Sequence, residues 1–176
     1  MGTATNTAKP ADNQPDDATH RAHLREILDD AGTVMLVTRV DEGLHGRPMA
    51  IARVDDDGTI YLATSIETAK VRELEADPRV DLFFQSKTRY ATVSGAATVR
   101  RDRALVHELW AESWKLWFPE GKDDPNIVIL VIDPERGEYW DQSGARGLSF
   151  LFRAARAYVT GTEVEPRPQD HGKVRM

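Results

Sequence analysis

The side chains best suited to chemistry lie in residues 61–70, where a short apolar segment leads through hydroxyl groups to a lysine. The hydroxyl residues are Thr64, Ser65 and Thr68, and the lysine is Lys70. The start of a helix offers unpaired backbone N–H groups and the positive end of the helix dipole, so these side chains could bind a phosphate there. A purely structural role is also open, in which Ser65 or Thr68 caps the helix and Lys70 lies on a solvated face.

Composition narrows the chemistry that is open to the chain. There is no cysteine among the 176 residues, which excludes disulfides, thiolate zinc sites and thiol nucleophiles. The five histidines are scattered without the spacing of metal ligands, so we predict no metal site. The formal net charge of −6 argues against binding to nucleic acid, which needs a basic face.

The chain length predicts one domain between two polar ends. Residues 1–18 are rich in Thr, Ala, Asn, Asp and Pro and lack an apolar leader segment, which favours a disordered tail. We place a single domain at residues 19–160 and a polar tail at residues 161–176. No apolar run approaches the roughly 20 residues that a membrane-spanning helix needs, so we expect no membrane contact and a cytoplasmic location.

Hydrophobic patterning predicts short strands with a few helices between them. The predicted helices cover residues 20–31, 67–77, 103–117 and 148–159. The predicted strands cover residues 33–38, 48–54, 59–64, 79–85, 90–99, 127–132 and 137–141. The segment Asp55-Asp56-Asp57-Gly58 favours a hairpin turn, and Gly95 inside a long strand favours a bulge. Strands with too few helices for a regular βαβ alternation predict a mainly β protein of the α+β class, an antiparallel barrel flanked by helices.

The domain also carries three short motifs. They are Gly46-Arg47-Pro48-Met49, Trp117-Phe118-Pro119-Glu120-Gly121-Lys122-Asp123-Asp124-Pro125 and Glu138-Tyr139-Trp140-Asp141. In order and spacing they resemble the FMN-binding split-barrel superfamily typified by pyridoxamine 5'-phosphate oxidase, and above all its bacterial general stress protein subgroup. The resemblance covers residues 20–158 and implies a six-stranded antiparallel split β-barrel, an FMN cofactor, and a homodimer with the flavin at its interface.

The resemblance also implies roles for individual residues. Those that match the family's phosphate-binding segment are Thr64, Ser65, Thr68 and Lys70, although Ala69 stands where the oxidases often have an arginine. Those that match the strand along the flavin ring are Arg47, Pro48 and Met49. In the part where the neighbouring subunit closes the pocket, Trp140 matches a tryptophan beside the cofactor and Arg146 matches an arginine facing the substrate. Arg47 could stabilise negative charge on the reduced ring.

Several of these residues have structural alternatives. Arg47 could form a weak surface ion pair, and Trp140 could be core packing at a strand end. Trp110, Trp114 and Trp117 recur at helical spacing, which favours core or dimer-interface packing on one helical face. In the alternative interpretation these tryptophans form an aromatic wall over the flavin or a substrate, which makes Trp117 a substrate-side residue.

The chain departs from the oxidases at Leu148, where their pattern has a histidine that orients pyridoxamine phosphate. This departure argues against true pyridoxamine 5'-phosphate oxidase activity. The resemblance therefore implies an FMN-dependent oxidoreductase whose small-molecule substrate or reductant the sequence does not identify. The alternative is a flavin-binding stress protein without turnover, acting as a flavin reservoir or redox sensor. FAD, a deazaflavin or haem are alternative occupants of the barrel, and no catalytic residue is assigned.

Overall fold

The computed structural model describes residues 17–41, 43–143 and 171–176. Its helices are α1 (Asp17–Ala31), α2 (Ala69–Ala76), α3 (Arg103–Leu109) and a 3₁₀ helix (Glu112–Leu116). Its strands are β1 (Thr33–Val40), β2 (Gly43–Val54), β3 (Ile60–Ser65), β4 (Arg79–Gln85), β5 (Arg89–Arg100), β6 (Ile127–Asp141) and β7 (His171–Arg175). No helix in these ranges is both long and apolar enough to cross a bilayer. The tail predicted before the domain, up to residue 16, and the helix predicted at residues 148–159 lie outside the described residues.

Six of the strands form a closed antiparallel barrel. Their order is β3-β2-β1-β4-β5-β6, and hydrogen bonds between β3 and β6 close the ring. Each neighbouring pair is antiparallel, and β7 adds to β6 outside the ring. The predicted fold, a six-stranded antiparallel barrel flanked by helices, is therefore confirmed.

The longest strand, β6, pairs with three other strands. It pairs with β5 along nearly its whole length, while its first part pairs with β3 and its last part with β7. The sequence predicted two strands around Pro134, and that division is wrong. Neither β3 nor β7 pairs with Pro134. On that side of β6 no neighbour needs a backbone N–H from this residue, so the strand tolerates a proline, which has none.

The barrel bends at Gly95 of β5. Ser94 pairs with Arg136 and Gly95 pairs with Pro134, so Glu135 has no partner in β5. A Cβ atom on Gly95 would lie 2.1 Å from the carbonyl oxygen of Asp133, well inside van der Waals contact. The predicted bulge is confirmed, with its extra residue on β6.

Helix α1 packs on the barrel through the face that its sequence pattern predicts. Leu24, Ile27 and Leu28 are at most 2% exposed, and burial of each such side chain contributes roughly 1.5–3 kcal/mol. Gly137 of β6 allows the helix to come close, because a Cβ atom there would lie 2.1 Å from Leu24 Cδ2.

The tryptophan-rich segment is not one helix, so the predicted helix over residues 103–117 and its common aromatic face are wrong. α3 ends before Trp110, and the 3₁₀ helix begins after it. Trp114 is buried in a second core cluster, and the Trp110 ring meets it edge-on with centroids 5.7 Å apart. Trp117 is 63% exposed. Core packing therefore accounts for two of the three tryptophans.

Part of the polar tail predicted at residues 161–176 is a strand. β7 pairs with β6, with Arg175 opposite Arg136 and His171 opposite Trp140. Val174 is 5% exposed, and it is the one apolar side chain in the five residues of the strand. So short and polar a segment carries no strand pattern, which is why the sequence did not predict it.

Replacing Gly95 by alanine should destabilise the protein, because the added Cβ atom would push against the β6 backbone at Asp133. We expect the free energy of unfolding, measured by urea denaturation, to fall by about 1–3 kcal/mol, as for other overpacked sites. Gly46→Ala is the control, because a Cβ atom there would have no neighbour nearer than 3.6 Å. Equal stability of the two variants would contradict the close approach of β5 and β6.

Candidate functional site

The hydroxyl-rich stretch of the sequence lies at the junction of β3 and α2. Thr64 and Ser65 end β3, Thr68 is the N-cap residue of α2, and Lys70 lies in its first turn. The Thr68 hydroxyl donates to the carbonyl oxygen of Ser65 at 2.8 Å and makes no capping bond to a helix N–H. Ser65 Oγ accepts from the backbone N–H of Glu67 at 3.3 Å. Side-chain capping by Thr68 therefore does not explain the hydroxyl at that position.

Lys70 turns back toward β3 instead of extending into solvent. Its Nζ donates to Thr64 Oγ1 at 3.0 Å, and its side chain is half-buried. Burial lowers the pKa of Lys70, the positive charge of Arg47 lowers it further, and the negative charge of Glu73 opposes both. The structure thus brings Lys70 and Arg47 close enough to repel each other, and a bound anion would relieve that repulsion.

Arg47 reaches the same region from β2. Its guanidinium donates to Thr38 Oγ1 at 2.5 Å, to the His45 carbonyl oxygen at 2.8 Å and to the Glu73 carboxylate. The Arg47 side chain is 17% exposed. Its ion pair with Glu73 is therefore mostly shielded from water and differs from the weak surface pair considered as the alternative.

Sequence reasoning missed two members of this group, Thr38 and Glu73, and Glu73 is the charged one. Its side chain is 13% exposed, and its carboxylate accepts from the Thr38 hydroxyl at 2.6 Å, from His45 Nδ1 at 2.9 Å and from Arg47. Burial alone would raise the pKa of Glu73, but the three hydrogen bonds and the charge of Arg47 lower it from 4.5 to about 2. Its spacing of three residues from Lys70, which places both on one face of α2, was the available signal.

We call Thr38, Arg47, Thr64, Lys70 and Glu73 the cation cluster. At neutral pH its two cations and one carboxylate leave one net positive charge in a partly shielded site with two hydroxyl groups. Charge-assisted hydrogen bonds to phosphate or carboxylate oxygens are strong in such surroundings. The cluster is therefore suited to an anionic ligand.

Pro48 and Met49 face opposite sides of β2. Pro48 is exposed and pairs with Met35 of β1. The Met49 side chain is 8% exposed and belongs to the main core cluster. Only the backbone of Met49 is therefore available for the contact with a flavin ring that the resemblance implies.

Trp140 is far from the cation cluster within one chain. Thr64 pairs with Val128 of β6, and Trp140 lies twelve residues further along that strand, which is about 40 Å of extended chain at ~3.3 Å per residue. The Trp140 ring is half-buried and stacks on His171, with centroids 5.1 Å apart. The groove beside it has a volume of about 660 Å³, and its lining includes Met35, Phe83 and Tyr90. One chain does not bring Trp140 and Lys70 together.

The described contacts also do not join the two predicted substrate-side residues to the cation cluster. Arg146 lies outside the described residues. Trp117 follows the 3₁₀ helix, is largely exposed and has no described contact with Arg47 or Lys70. Within the ranges that the structure describes, no three His, Asp or Glu side chains gather where they could hold a metal ion.

The pairing of Glu73 should make stability depend on pH. Because the pKa of Glu73 in the folded protein is about 2, below its ordinary value of 4.5, its ionised form stabilises the fold at neutral pH. That contribution, up to about 3 kcal/mol, is lost as the pH falls from about 4.5 toward 2. Glu73→Gln should therefore be less stable than the wild type at pH 7, and the difference should shrink below pH 4 in urea denaturation at several pH values. A difference of the same size at pH 7 and pH 3 would contradict this role.

Comparisons with known proteins place the chain in a family. Residues 19–165 match the family model described as pyridoxamine 5'-phosphate oxidase like. General stress protein 26 of Bacillus subtilis (strain 168) is 35% identical over 115 residues, which cover 62% of this chain and 80% of that protein.

Solved structures agree with the sequence comparison. A Jannaschia sp. CCS1 protein, described as of the general stress protein 26 type, is 26% identical with a TM-score of 0.70, and the match covers 91% of this chain and 99% of that one. The general stress FMN/FAD binding protein of Xanthomonas citri is 31% identical with a TM-score of 0.61, and the match covers 71% of this chain and 89% of that one. The chain therefore belongs to the pyridoxamine 5'-phosphate oxidase-like family.

Proposed function

We propose that this protein binds FMN and acts as a flavin-dependent oxidoreductase of the general stress type on a small molecule. The observation that carries the proposal is the cation cluster, in which the half-buried Lys70 ammonium donates to Thr64 Oγ1 and forms no ion pair among the described contacts. A phosphate monoester carries up to two negative charges at neutral pH and suits this arrangement. Membership of the family, and the FMN/FAD binding described for the Xanthomonas citri protein, support a flavin as the group that carries the phosphate.

The residues of the β3–α2 junction hold the phosphate in this proposal. Lys70 supplies the charge, and Thr64, Ser65 and Thr68 supply hydroxyl groups. Ala69 adds no second cation in that turn, although Arg47 of β2 lies near enough for its charge to act on Lys70. The extended backbone of residues 47–49 would hold the flavin ring, and the guanidinium of Arg47 would stabilise negative charge on it. When bound, the flavin supplies the electron-transfer chemistry, while the chain positions it and sets its electrostatic surroundings.

The proposal includes a homodimer that pairs through the outer face of the barrel. Met35, Phe83 and Tyr90 are 41%, 45% and 38% exposed on that face, and Met35 lies directly opposite Phe83 across β1 and β4. A second copy would remove this apolar surface from water. Pairing would also give the partner subunit's Trp140 access to the flavin, which the length of β6 denies to the Trp140 of the same chain.

A non-catalytic role as a flavin reservoir or redox sensor is the second candidate. One observation favours it: Glu73, the carboxylate of the cation cluster, has a pKa of about 2 and stays ionised at neutral pH. It therefore cannot donate a proton to a substrate in that range.

Lys70→Ala should weaken FMN binding to the apoprotein at least five-fold, because a charge-assisted hydrogen bond to the phosphate is lost. Quenching of flavin fluorescence gives the dissociation constant. Lys87→Ala is the matched control, since Lys87 is exposed in the turn between β4 and β5 and should leave the affinity unchanged.

Two experiments on the wild-type protein complete this test. Mass spectrometry of the released ligand identifies the flavin, and anaerobic addition of NADH or NADPH tests whether the bound flavin is reduced. Bleaching followed by turnover in air favours the oxidoreductase, and bound flavin that donors do not reduce favours the reservoir. The proposal fails if the wild-type protein does not bind FMN, or if Lys70→Ala and Lys87→Ala bind it equally well.

Phe83→Glu should convert the dimer into monomers, because it places a charge in the centre of the exposed apolar face without disturbing the core. Sedimentation equilibrium measures the change in mass. Leu116→Glu is the control, since Leu116 is 79% exposed on the 3₁₀ helix, away from the outer strands. A Phe83→Glu protein that stays dimeric at the concentrations where the wild type is dimeric would contradict the proposed interface.

A further inference from the structure

The Glu73 carboxylate joins three elements of the fold. Its Oε2 accepts from the Thr38 hydroxyl of β1 and from the Arg47 guanidinium of β2. Its Oε1 accepts from His45 Nδ1, again on β2. Both oxygens are thus engaged by the barrel, and the carboxylate is held ionised in a position where only 13% of the side chain is exposed.

The same carboxylate leaves its near neighbour on α2 unpaired. Lys70 lies three residues before Glu73, a spacing at which ion pairs along a helix are common. The Lys70 ammonium nevertheless donates to Thr64 Oγ1, and among the described contacts it forms no ion pair with Glu73. Glu73 pairs directly with the cation across the barrel wall, whereas it acts on the cation of its own helix only through space and less strongly than Arg47 does.

We propose that Glu73 is a positioning residue that neutralises and fixes Arg47, so that Lys70 is the cation of the cluster that meets an anionic ligand without a direct counter-ion of its own. That the ligand is a flavin rests on the proposed function. That Glu73 pairs with Arg47 and not with Lys70 rests on the contacts alone.

This division has a consequence for the redox balance of a bound flavin. Above pH 7 the reduced form of a flavin carries one more negative charge than the oxidised form. An arginine without a counter-ion would stabilise that added charge, whereas an arginine already paired with a carboxylate stabilises it much less. Glu73 should therefore keep the flavin easier to oxidise.

The first experiment compares Glu73→Gln with the wild type by measuring FMN affinity in the oxidised and the reduced states at pH 8. The ratio of reduced to oxidised affinity should rise about ten-fold, equivalent to a positive shift of about 30 mV for a two-electron couple. Glu75→Gln is the matched control, because Glu75 lies on the same helix with 51% of its side chain exposed and pairs with Arg101. A ratio that changes by less than two-fold in Glu73→Gln overturns the redox role.

The second experiment uses the apoprotein and inorganic phosphate, so it needs no flavin. Phosphate protection against thermal unfolding gives a dissociation constant for each variant. Glu73→Gln should bind phosphate at least three-fold more tightly than the wild type, because two cations then face the anion. Arg47→Gln should bind at least three-fold more weakly, because the carboxylate is then left without its counter-ion.

The double variant Arg47→Gln with Glu73→Gln keeps the experiment decisive even if Glu73→Gln alone does not fold, because it removes both members of the ion pair and leaves neither of them without its partner. Lys70 is then the one cation facing the anion, as in the wild type, so phosphate affinity should return to within two-fold of the wild-type value. A double variant that fails to restore it overturns the inference. A wild-type protein that binds phosphate with this pattern but does not bind FMN rejects the flavin function and leaves the role of Glu73 intact.

Discussion

The first part of β6 pairs with β3, and this pairing gives each of the six barrel strands a neighbour on both sides within the ring. Closure fixes the order β3-β2-β1-β4, in which β3 and β4 are not adjacent although they are consecutive in the sequence. Two strands separate β3 from β4 on either side of the ring, so the connection between them must span two strands, and α2, which forms part of it, packs against β1 and β5. This path explains why Glu73 of α2 meets Arg47 of β2 and Thr38 of β1. The cation cluster is thus a consequence of barrel topology.

The length of β6 has a second consequence for the site. The end that pairs with β3 lies beside the hydroxyl-rich junction, and the end that pairs with β7 carries Trp140. The strand separates its two ends, and among the described contacts nothing joins Trp140 to the hydroxyl-rich junction within one chain. The exposed apolar side chains on the strands between them offer a surface for a second chain. The distance between the two ends of β6 and the exposed apolar side chains both support the proposed symmetric homodimer.

The sequence predicted those features that depend on local pattern. The buried face of α1, the turn at residues 55–58 and the bulge at Gly95 follow from periodicity and glycine chemistry, and the structure has all three. The continuity of β6 through Pro134 was not predictable, because it depends on which neighbours pair on either side of the proline. The break in the helix near Trp110 and the short strand β7 are set by tertiary packing in the same way.

In the candidate site too, local features could be predicted and long-range contacts could not. Lys70 and its hydroxyl neighbours could be predicted because they are close in the sequence, whereas the pairing of Glu73 with Arg47 joins residues 26 positions apart. That long-range contact decides the electrostatics. A chain with a net charge of −6 can still present a positive site, because in a partly shielded cluster the nearest hydrogen-bonded charges outweigh distant, solvent-screened ones. The cluster keeps one net positive charge whichever cation the carboxylate pairs with, and the pairing decides where that charge lies. Both Glu73 oxygens are hydrogen-bonded to the barrel, so Lys70 is the cation of the cluster that has no ion pair among the described contacts.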